Sequence, residues 1–475
     1  MKESHDNILR QNMSHGTGSA RESLCRSRWD QPTIDLYSGQ VRVCCRVPSL
    51  AITREDLSSF KTDAILNNET LVQRRHEMFQ GTKHVDCASC WKAEACAQPS
   101  PRVGAGEVVE KLRAMDGRFA DGHDFSQLEK SHPILRAEAP KFLEIQMGNL
   151  CDLKCVYCWR SNSSKWAQED LEFGKISVEE FAALNRKAPE GFEEIFWQWL
   201  ETVAPHLEMV SFVGGEPTMQ TRFPDILMRV HQICQRQGNS KMRIRIVSNL
   251  NCSEKIFARV LEVISLLTRE GRAVLLDISM EAFGTRAEFI RFGLKWTSFD
   301  QNLERFLAAK LENFQVAISA TVNSLSITSM AEFIGYLAEK QTRYDVRFPF
   351  MENSVVYPTW LAAEILTPDF SHHLNAVIEE LEKYPFESAF AWGYGWARYA
   401  QYIQRLQATI RYPGDSSDSR ICWTRGRFYR GIRDLEHRRK VNFSAIFPEM
   451  RDFLNSCERF HEDWLRDNAT AGVEP

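Results

Sequence analysis

The sequence predicts an α/β protein built on a partial barrel of six βα units, with a small cysteine-rich module before it and a mainly helical region after it. Short apolar runs alternate with amphipathic helices over residues 140–352, a pattern typical of parallel strands joined by helices. The cysteines cluster in two tight triplets, one before this region and one inside it. Because the region is shorter than the ~250 residues of a closed eight-fold barrel, we expect an open, partial barrel.

Six apolar runs are the strand candidates of the barrel. They are Phe142–Met147, Met209–Val213, Ile244–Ser248, Val274–Met280, Val316–Val322 and Asp345–Phe350. One of the helices between them is opened by the capping-box pattern Ser177-x-x-Glu180. Another is expected from Ser253 to Leu267, where apolar side chains recur at helical spacing.

The composition divides the chain into four stretches. Residues 1–32 are polar and lack an apolar period, so we expect a loosely attached arm that carries little function. Residues 33–139 hold the cysteine module, with a strand at Val41–Val47, and a linker. Residues 140–352 are the partial barrel, and residues 353–475 are a helical region. We expect the aromatics of this last region to form a packing surface, with substrate contact as the alternative; they include Trp360, Trp392, Trp396 and Trp423.

Charge and hydropathy exclude several classes of protein. The 475-residue chain has a formal net charge of -4, which gives no general reason to bind nucleic acid or a membrane surface. No apolar run reaches the ~18 residues of a spanning helix, and the N-terminus lacks the apolar centre of a secretion signal. We therefore expect a cytoplasmic protein with no membrane partner. In such a chain, clustered cysteines favour metal or cluster ligation over disulfides.

The loop after the first barrel strand contains Cys151-x3-Cys155-x2-Cys158. Three thiolates on one tight loop can bind three irons of a cubane cluster and leave the fourth iron open to a further ligand. A structural zinc site would need a fourth protein ligand, and the next cysteine along the chain is Cys234. Taken alone, this triplet also allows free or zinc-binding thiols.

A second motif, Gly214-Gly215-Glu216-Pro217, follows the second predicted strand, at the edge where βα-barrel sites are assembled. Paired glycines let the backbone approach a ligand closely, and a carboxylate there can accept hydrogen bonds from an ammonium group. In this order the two motifs resemble the radical S-adenosylmethionine (radical SAM) superfamily. Its members carry C-x3-C-x-aromatic-C after the first strand and GGEP after the second.

The resemblance implies a 4Fe-4S cluster on Cys151, Cys155 and Cys158, and cleavage of SAM to a 5'-deoxyadenosyl radical that abstracts hydrogen from a substrate. It puts Tyr157 near the adenine and the GGEP residues at the methionyl amino group. The SAM-binding residues it implies are Tyr157, Gly214, Gly215, Glu216, Pro217, Ser248, Asn249, Ser279 and Arg291.

The last four of these residues have a plain structural alternative. In peptide-modifying members a similar Ser and Arg pair contacts the ribose and the SAM carboxylate, but Ser279 and Arg291 can equally be a strand-end serine and a surface arginine. Ser248 and Asn249 end the third predicted strand, and polar residues at strand ends are commonly loop caps. The same holds for Thr321 and Asn323 at the end of the fifth.

The second cysteine triplet, Cys87-x2-Cys90-x5-Cys96, resembles part of the SPASM and twitch auxiliary-cluster modules. It departs from them because it precedes the barrel and lacks the cysteine expected three residues past Cys96. The resemblance implies one auxiliary 4Fe-4S cluster of twitch type, with Cys44 or Cys45 as the fourth ligand. A four-thiolate zinc site is the alternative.

The other cysteines are isolated in sequence, and we interpret them as thiols without a function. They are Cys25, Cys234, Cys252, Cys422 and Cys457. Cys422, beside Trp423, could reach a cluster if the C-terminal region folds over the barrel.

The sequence indicates the reaction type better than the substrate. By resemblance, an auxiliary module favours a peptide or peptide-like natural-product precursor, with a small molecule such as a sugar, amino acid or nucleotide as the alternative. The reaction also needs an external one-electron donor such as flavodoxin or ferredoxin. A non-enzymatic iron-sulfur scaffold stays open as a different class, and nucleic-acid modification ranks third because the chain lacks a basic domain.

Overall fold

The structure is a computed structural model, and it describes residues 23–25, 27–44, 47–95, 128–355, 357–383, 404, 407–408 and 419–468. Cys45, Cys96, Trp392 and Trp396 lie outside these residues. The described strands are β1 (Thr33–Asp35), β2 (Gln40–Arg42), β3 (Leu50–Ala51), β4 (Phe142–Gln146), β5 (Lys154–Cys155), β6 (Met209–Val213), β7 (Arg243–Ser248), β8 (Val274–Ser279), β9 (Arg291–Phe292), β10 (Phe314–Val322) and β11 (Phe350–Ser354).

The described α-helices fall between and after these strands. They are α1 (Ser27–Asp30), α2 (Arg54–Phe60), α3 (Glu69–Phe79), α4 (Ala88–Ala95), α5 (Ser164–Glu172), α6 (Val178–Leu184), α7 (Phe192–Val203), α8 (Phe223–Arg236), α9 (Glu254–Arg269), α10 (Gly284–Ile290), α11 (Trp296–Ala308), α12 (Met330–Tyr344), α13 (Ser371–Lys383), α14 (Ser419–Arg439), α15 (Phe443–Ile446) and α16 (Arg451–Asn468). No helix in the described part of the chain is both long and apolar enough to cross a membrane.

A nine-stranded sheet in the order β11-β10-β8-β7-β6-β4-β1-β2-β3 organises the fold. From β4 to β11 every neighbouring pair is parallel. The prediction of a series of parallel strands is therefore confirmed, although not the position of every strand. Within the described ranges no pairing joins β11 to β3, so the sheet is open. Parallel strands bring their carboxyl ends to one edge, and the loops that follow them meet there.

Five of the six predicted strands lie within one or two residues of the observed strands, but the sixth was wrong. It was expected at Asp345–Phe350, whereas β11 begins only at Phe350. Helix α12 runs to Tyr344 and ends at Asp345, which adopts a left-handed conformation with φ of 52°. Pro349 has no N–H to donate to a ladder, although its carbonyl accepts a hydrogen bond from Ile318 N at 2.8 Å.

The N-terminal module extends the sheet beyond the barrel. β1 pairs in parallel with β4, and β2 and β3 continue the sheet in antiparallel fashion. The predicted strand at Val41–Val47 was misplaced, because the chain is extended only over Gln40–Arg42. The module is thus joined to the barrel by backbone hydrogen bonds.

The prediction of a loosely attached arm fails at residues 23–25 and 27–30, which are buried. Trp29 Nε1 donates to Ile134 O at 2.7 Å, and Ser23 Oγ donates to Met78 O. The polar composition concealed this because Arg28 and Asp30 are buried along with their apolar neighbours. These residues pack in the core of the cysteine module.

Two predicted helices are confirmed. Ser177 caps α6 as expected, since its hydroxyl accepts from Glu180 N at 3.1 Å and the Glu180 carboxylate accepts from Ser177 N at 2.8 Å. Helix α9 buries Val260, Ile264 and Leu267 on one face. This face packs the helix against the sheet and fixes the loops at the strand ends.

Candidate active site

A cavity of about 660 Å³ opens at the carboxyl ends of the barrel strands. This volume lies in the range of small-molecule and cofactor sites. Its walls include most of the residues that the sequence singled out. They are Cys151, Cys155, Tyr157, Cys158, Gly214, Gly215, Glu216, Ser248, Asn249, Ser279, Arg291 and Thr321.

The three-cysteine loop is held in place by a short two-stranded ladder. β5, which contains Cys155, pairs antiparallel with β9, and Cys155 lies opposite Arg291 in the register. Val156 N donates to Ile290 O at 2.8 Å. Arg291 Nη1 lies 3.9 Å from Cys155 Sγ. The pairing therefore brings a guanidinium from β9 to a thiol of the loop.

Cys151 and Cys155 are buried, Cys158 is partly buried, and all three thiols are neutral at ordinary pH. Burial raises the pKa of Cys155 to about 12, against the opposing effect of Arg291. Burial also raises the pKa of Cys151 and of Cys158. Binding to iron deprotonates such thiols, because the thiolate is the ligand.

Three thiols on one loop are a donor set that suits a 4Fe-4S cluster. Within the described ranges, no three His, Cys, Asp or Glu side chains converge on one ion position. A cubane cluster requires no such point, because each thiolate binds a different iron. Cys151, Cys155 and Cys158 meet that requirement by lining one cavity.

The GGEP loop packs directly on the three-cysteine loop. Gly215 N donates to Gly148 O at 2.9 Å, and Glu216 N donates to Leu150 O at 2.7 Å. A Cβ on Gly215 would lie 2.2 Å from Leu150 O, so only glycine fits there. Gly214 also has no room for a side chain. Its φ is 133°, and a Cβ added there would lie 2.7 Å from Gly148 O. The paired glycines thus allow the two loops to touch.

The Glu216 carboxylate connects the ends of β6 and β7. It accepts hydrogen bonds from Thr218 N and Thr218 Oγ1, from Ser248 Oγ at 2.9 Å and from Asn249 N at 2.7 Å. Burial raises the pKa of Glu216, and these bonds oppose that rise. Three of the four bonds reach Oε1, so Oε2 keeps room for another donor. Pro217 begins a buried turn and does not line the cavity.

A buried network that the sequence did not predict positions Tyr157 and Arg291. Glu281 has no exposed surface; its carboxylate accepts from Arg291 Nη2 at 2.5 Å and from the Tyr157 hydroxyl at 3.0 Å. Burial alone would lower the pKa of Arg291, but Glu281 raises it above its usual value. The Arg291 guanidinium also lies 5.6 Å from the centre of the Tyr157 ring.

Two buried N–H groups of the cavity-lining arginines have no hydrogen-bond partner. They are Arg42 Nε, on β2, and Arg291 Nε, on β9. Glu144, on β4, lies 3.8 Å from Arg42 and also lines the cavity. Glu144 stands between Leu143 and Ile145, and successive residues of a strand point to opposite faces. This alternation in the sequence could have identified Glu144 as a residue of the cavity. A ligand with a carboxylate and hydroxyls suits these donors.

Two cysteines of the second triplet lie at the start of α4: Cys87 ends the turn before the helix, and Cys90 lies in its first turn. Cys87 and Cys90 are buried, and Cys44 is partly buried. Arg28 Nη2 lies 3.5 Å from Cys87 Sγ. Arg28 belongs to the buried segment that also contains Cys25, which the sequence analysis left isolated. Cys45 and Cys96, the other predicted ligands of this site, lie outside the described part of the chain.

Residues 145–327 match the family model described as the radical SAM superfamily. The matched stretch, 183 of the 475 residues, is therefore similar to a radical SAM domain. The matched residues include the three-cysteine loop, the GGEP loop and Arg291. This domain implies a 4Fe-4S cluster and SAM, and it supports an enzyme over the non-enzymatic scaffold that the sequence left open. No curated protein matches the chain.

Solved structures of radical SAM enzymes share distant similarity with this chain. Native anSMEcpe with bound AdoMet has 17% identity and a TM-score of 0.34, over 51% of this chain and 60% of the other. Streptococcus suis SuiB has 14% identity and a TM-score of 0.36, over 75% of this chain and 69% of the other. This chain thus spans less than two thirds of anSMEcpe. Both TM-scores are too low to indicate what this chain acts on.

Proposed function

We propose that this radical SAM domain reductively cleaves SAM to methionine and a 5'-deoxyadenosyl radical, which abstracts hydrogen from a peptide or peptide-like precursor. One observation carries the proposal: the Cys151, Cys155 and Cys158 thiols and the GGEP loop line the same cavity. When bound on these thiols, a 4Fe-4S cluster supplies the electron that breaks the SAM sulfonium bond. That electron comes from an external donor such as flavodoxin or ferredoxin.

The residues of the chain bind and orient SAM. The backbone of Gly214 and Gly215 and the free side of the Glu216 carboxylate receive the methionyl amino group. Arg291 Nε, which is buried and lacks a partner, donates to the SAM carboxylate. Ser279, at the end of β8, contacts the ribose.

The remaining residues act through their neighbours. Tyr157 lines the adenine side of the cavity and is held by its hydrogen bonds to Glu281. Ser248 and Asn249 hold the Glu216 carboxylate in place. They are therefore positioning residues in this proposal.

The test is 5'-deoxyadenosine formation by anaerobically reconstituted protein with SAM and dithionite. Wild-type protein is expected to release 5'-deoxyadenosine, and Cys155→Ala is expected to release none. Cys234→Ala is the matched control, because Cys234 is equally buried but lies in α8, away from the cavity lining. Equal product from wild type and Cys155→Ala would refute the proposal.

The choice of a peptide over a small molecule is tested by following the abstracted hydrogen. Peptides and a small-molecule extract, both from cells grown in heavy water, are supplied separately to the reconstituted enzyme. Deuterium in 5'-deoxyadenosine with the peptide fraction supports a peptide substrate. Deuterium only with the small-molecule extract would favour the alternative.

We also propose an auxiliary 4Fe-4S cluster on Cys87, Cys90 and Cys96, with Cys44 or Cys45 as the fourth ligand. The support is the Cys87-x2-Cys90-x5-Cys96 spacing, the burial of Cys87 and Cys90, and the Arg28 guanidinium, which lies 3.5 Å from Cys87 Sγ. Cys45 and Cys96 lie outside the described part of the chain. A variant with Cys151, Cys155 and Cys158 all replaced by alanine should retain about four irons.

Adding Cys87→Ala to that triple variant should remove most of the remaining iron. Adding Cys457→Ala, at another buried cysteine, should not. Zinc in place of iron in the triple variant would identify the module as a structural zinc site.

A further inference from the structure

A second cavity, of about 540 Å³, adjoins the SAM cavity. The two share Cys158, Trp159 and Tyr357 in their walls. The ring centres of Trp159 and Tyr357 are 5.2 Å apart, in an edge-to-face arrangement. Both rings are exposed, at 38% and 53% of their surface. A molecule in the second cavity would therefore lie beside the radical site and contact two aromatic rings.

Helix α14 supplies a row of cations to the second cavity. Arg427, Arg430 and Arg438 all line it, spaced so that they follow one side of the helix. Arg438 is already neutralised, because it pairs with Asp170 at 2.9 Å and with Asp434. Gly431 allows α14 to approach the Trp360 ring closely, since a Cβ at position 431 would lie 2.8 Å from that ring.

Arg427 and Arg430 differ from Arg438 because neither forms a direct ion pair with a carboxylate within the described ranges. Asp434, which also lines the cavity, interacts with Arg430 through its charge. Arg427 is half-buried, hydrogen bonds to Tyr357 and lies 4.7 Å from the centre of the Trp423 ring. Burial lowers the pKa of Arg427, which reflects the cost of a cation without an anion. Arg430 is exposed at the rim of the cavity. An incoming anion would compensate the half-buried charge of Arg427 and would meet Arg430 at the rim.

We propose that Arg427 and Arg430 form an anion subsite that binds an acidic side chain of the peptide substrate, beside the radical site. The inference rests on the proposed function and names its substrate class. A single guanidinium can bind a carboxylate through two parallel hydrogen bonds, without further ligands. Phosphate sites commonly use a helix N-terminus, whereas Arg427 and Arg430 lie within α14. The aromatic walls suit the apolar remainder of a peptide.

The experiment titrates the reconstituted protein with N-acetyl-tetraglutamate amide and follows tryptophan fluorescence, because Trp159 and Trp360 line the second cavity. Saturable binding is expected, weakened roughly tenfold by Arg427→Gln or Arg430→Gln. Arg433→Gln is the matched control, because Arg433 lies on the same helix, outside the cavity lining, and pairs with Glu436 at 2.7 Å. This control should bind like wild type.

Several outcomes would overturn the inference. Tetraglutamine amide could bind as tightly as the glutamate peptide. All three substitutions could weaken binding equally, or inorganic phosphate could bind saturably while the peptide does not bind. Formation of 5'-deoxyadenosine by the unsubstituted protein is measured on the same sample. Its absence would refute the proposed function, whereas loss of peptide binding alone would refute only the subsite.

Discussion

Glu281 is the residue on which the geometry of the SAM cavity most depends. It is the acceptor for both Arg291 and Tyr157; Glu281 and Arg291 are buried, and Tyr157 is partly buried. Removing one partner of a buried ion pair leaves the other charge without compensation, which typically costs about 3–5 kcal/mol. The role of Glu281 therefore concerns stability and positioning together.

Glu281→Ala is expected to lower the free energy of unfolding by about 3–5 kcal/mol and to weaken SAM binding through displacement of Arg291. Chemical denaturation and equilibrium dialysis with SAM measure the two effects. Glu190→Ala is the control, because its pair with Arg54 is exposed and such pairs contribute about 0–1 kcal/mol. Equal stability of the two variants would contradict a structural role for the network.

Gly215 allows the GGEP loop to lie on the three-cysteine loop. Gly215→Ala should destabilise the fold by at least the roughly 1–3 kcal/mol that overpacking costs, because the added Cβ would meet Leu150 O. It should also abolish 5'-deoxyadenosine formation. Gly335→Ala, in α12, is the control; its Cβ meets only Glu380 at 3.8 Å. It should be neutral or gain up to ~1 kcal/mol. An active Gly215→Ala enzyme would argue that the loops need not touch.

At the scale of elements, α5 and the end of α14 clamp the three-cysteine loop. Glu169, on α5, is buried and lies 2.5 Å from Lys154 Nζ, on β5, and 3.5 Å from Arg439 Nη2. The Arg439 guanidinium is buried beside the Trp166 ring, 4.7 Å from its centre. One carboxylate thus connects the cluster loop to two helices.

Glu169→Gln should destabilise the protein, because two buried or partly buried cations lose their anion. It should also lower the iron content after reconstitution, since Lys154 and Cys155 share β5. Glu172→Gln, exposed on the same helix, is the control and should behave like wild type. Iron analysis and urea denaturation give the comparison. Unchanged iron loading in both variants would show that the clamp is dispensable.

The strands of the barrel could be predicted because parallel strands are buried on both faces and appear as short apolar runs. The short N-terminal strands and the last barrel strand could not be placed from the sequence. β1 and β2 are three residues each, too short to show a period, and β11 is displaced by Pro349 and the longer α12. Glu281 was missed for a similar reason. A carboxylate just after a strand end is expected to face solvent, and only the folded structure shows that Glu281 is bound to Tyr157 and Arg291, which are distant in sequence.

At the scale of the whole molecule, the N-terminal module and α14 both contribute residues to the cavities at the carboxyl ends of the barrel strands. Arg42, from the module, and Tyr357, from the segment after β11, both line the SAM cavity. Arg427 and Arg430 extend the site toward α14. The motifs of the barrel predicted the SAM cavity, whereas the second cavity depends on tertiary contacts that no motif records.

The measurement that tests the central claim most directly is the yield of 5'-deoxyadenosine and methionine from anaerobically reconstituted protein with SAM and dithionite. The account predicts both products in equal amounts, and only in protein that has been loaded with iron and sulfide. Iron-loaded protein that binds SAM but releases neither product, with peptide and small-molecule fractions present, would contradict it.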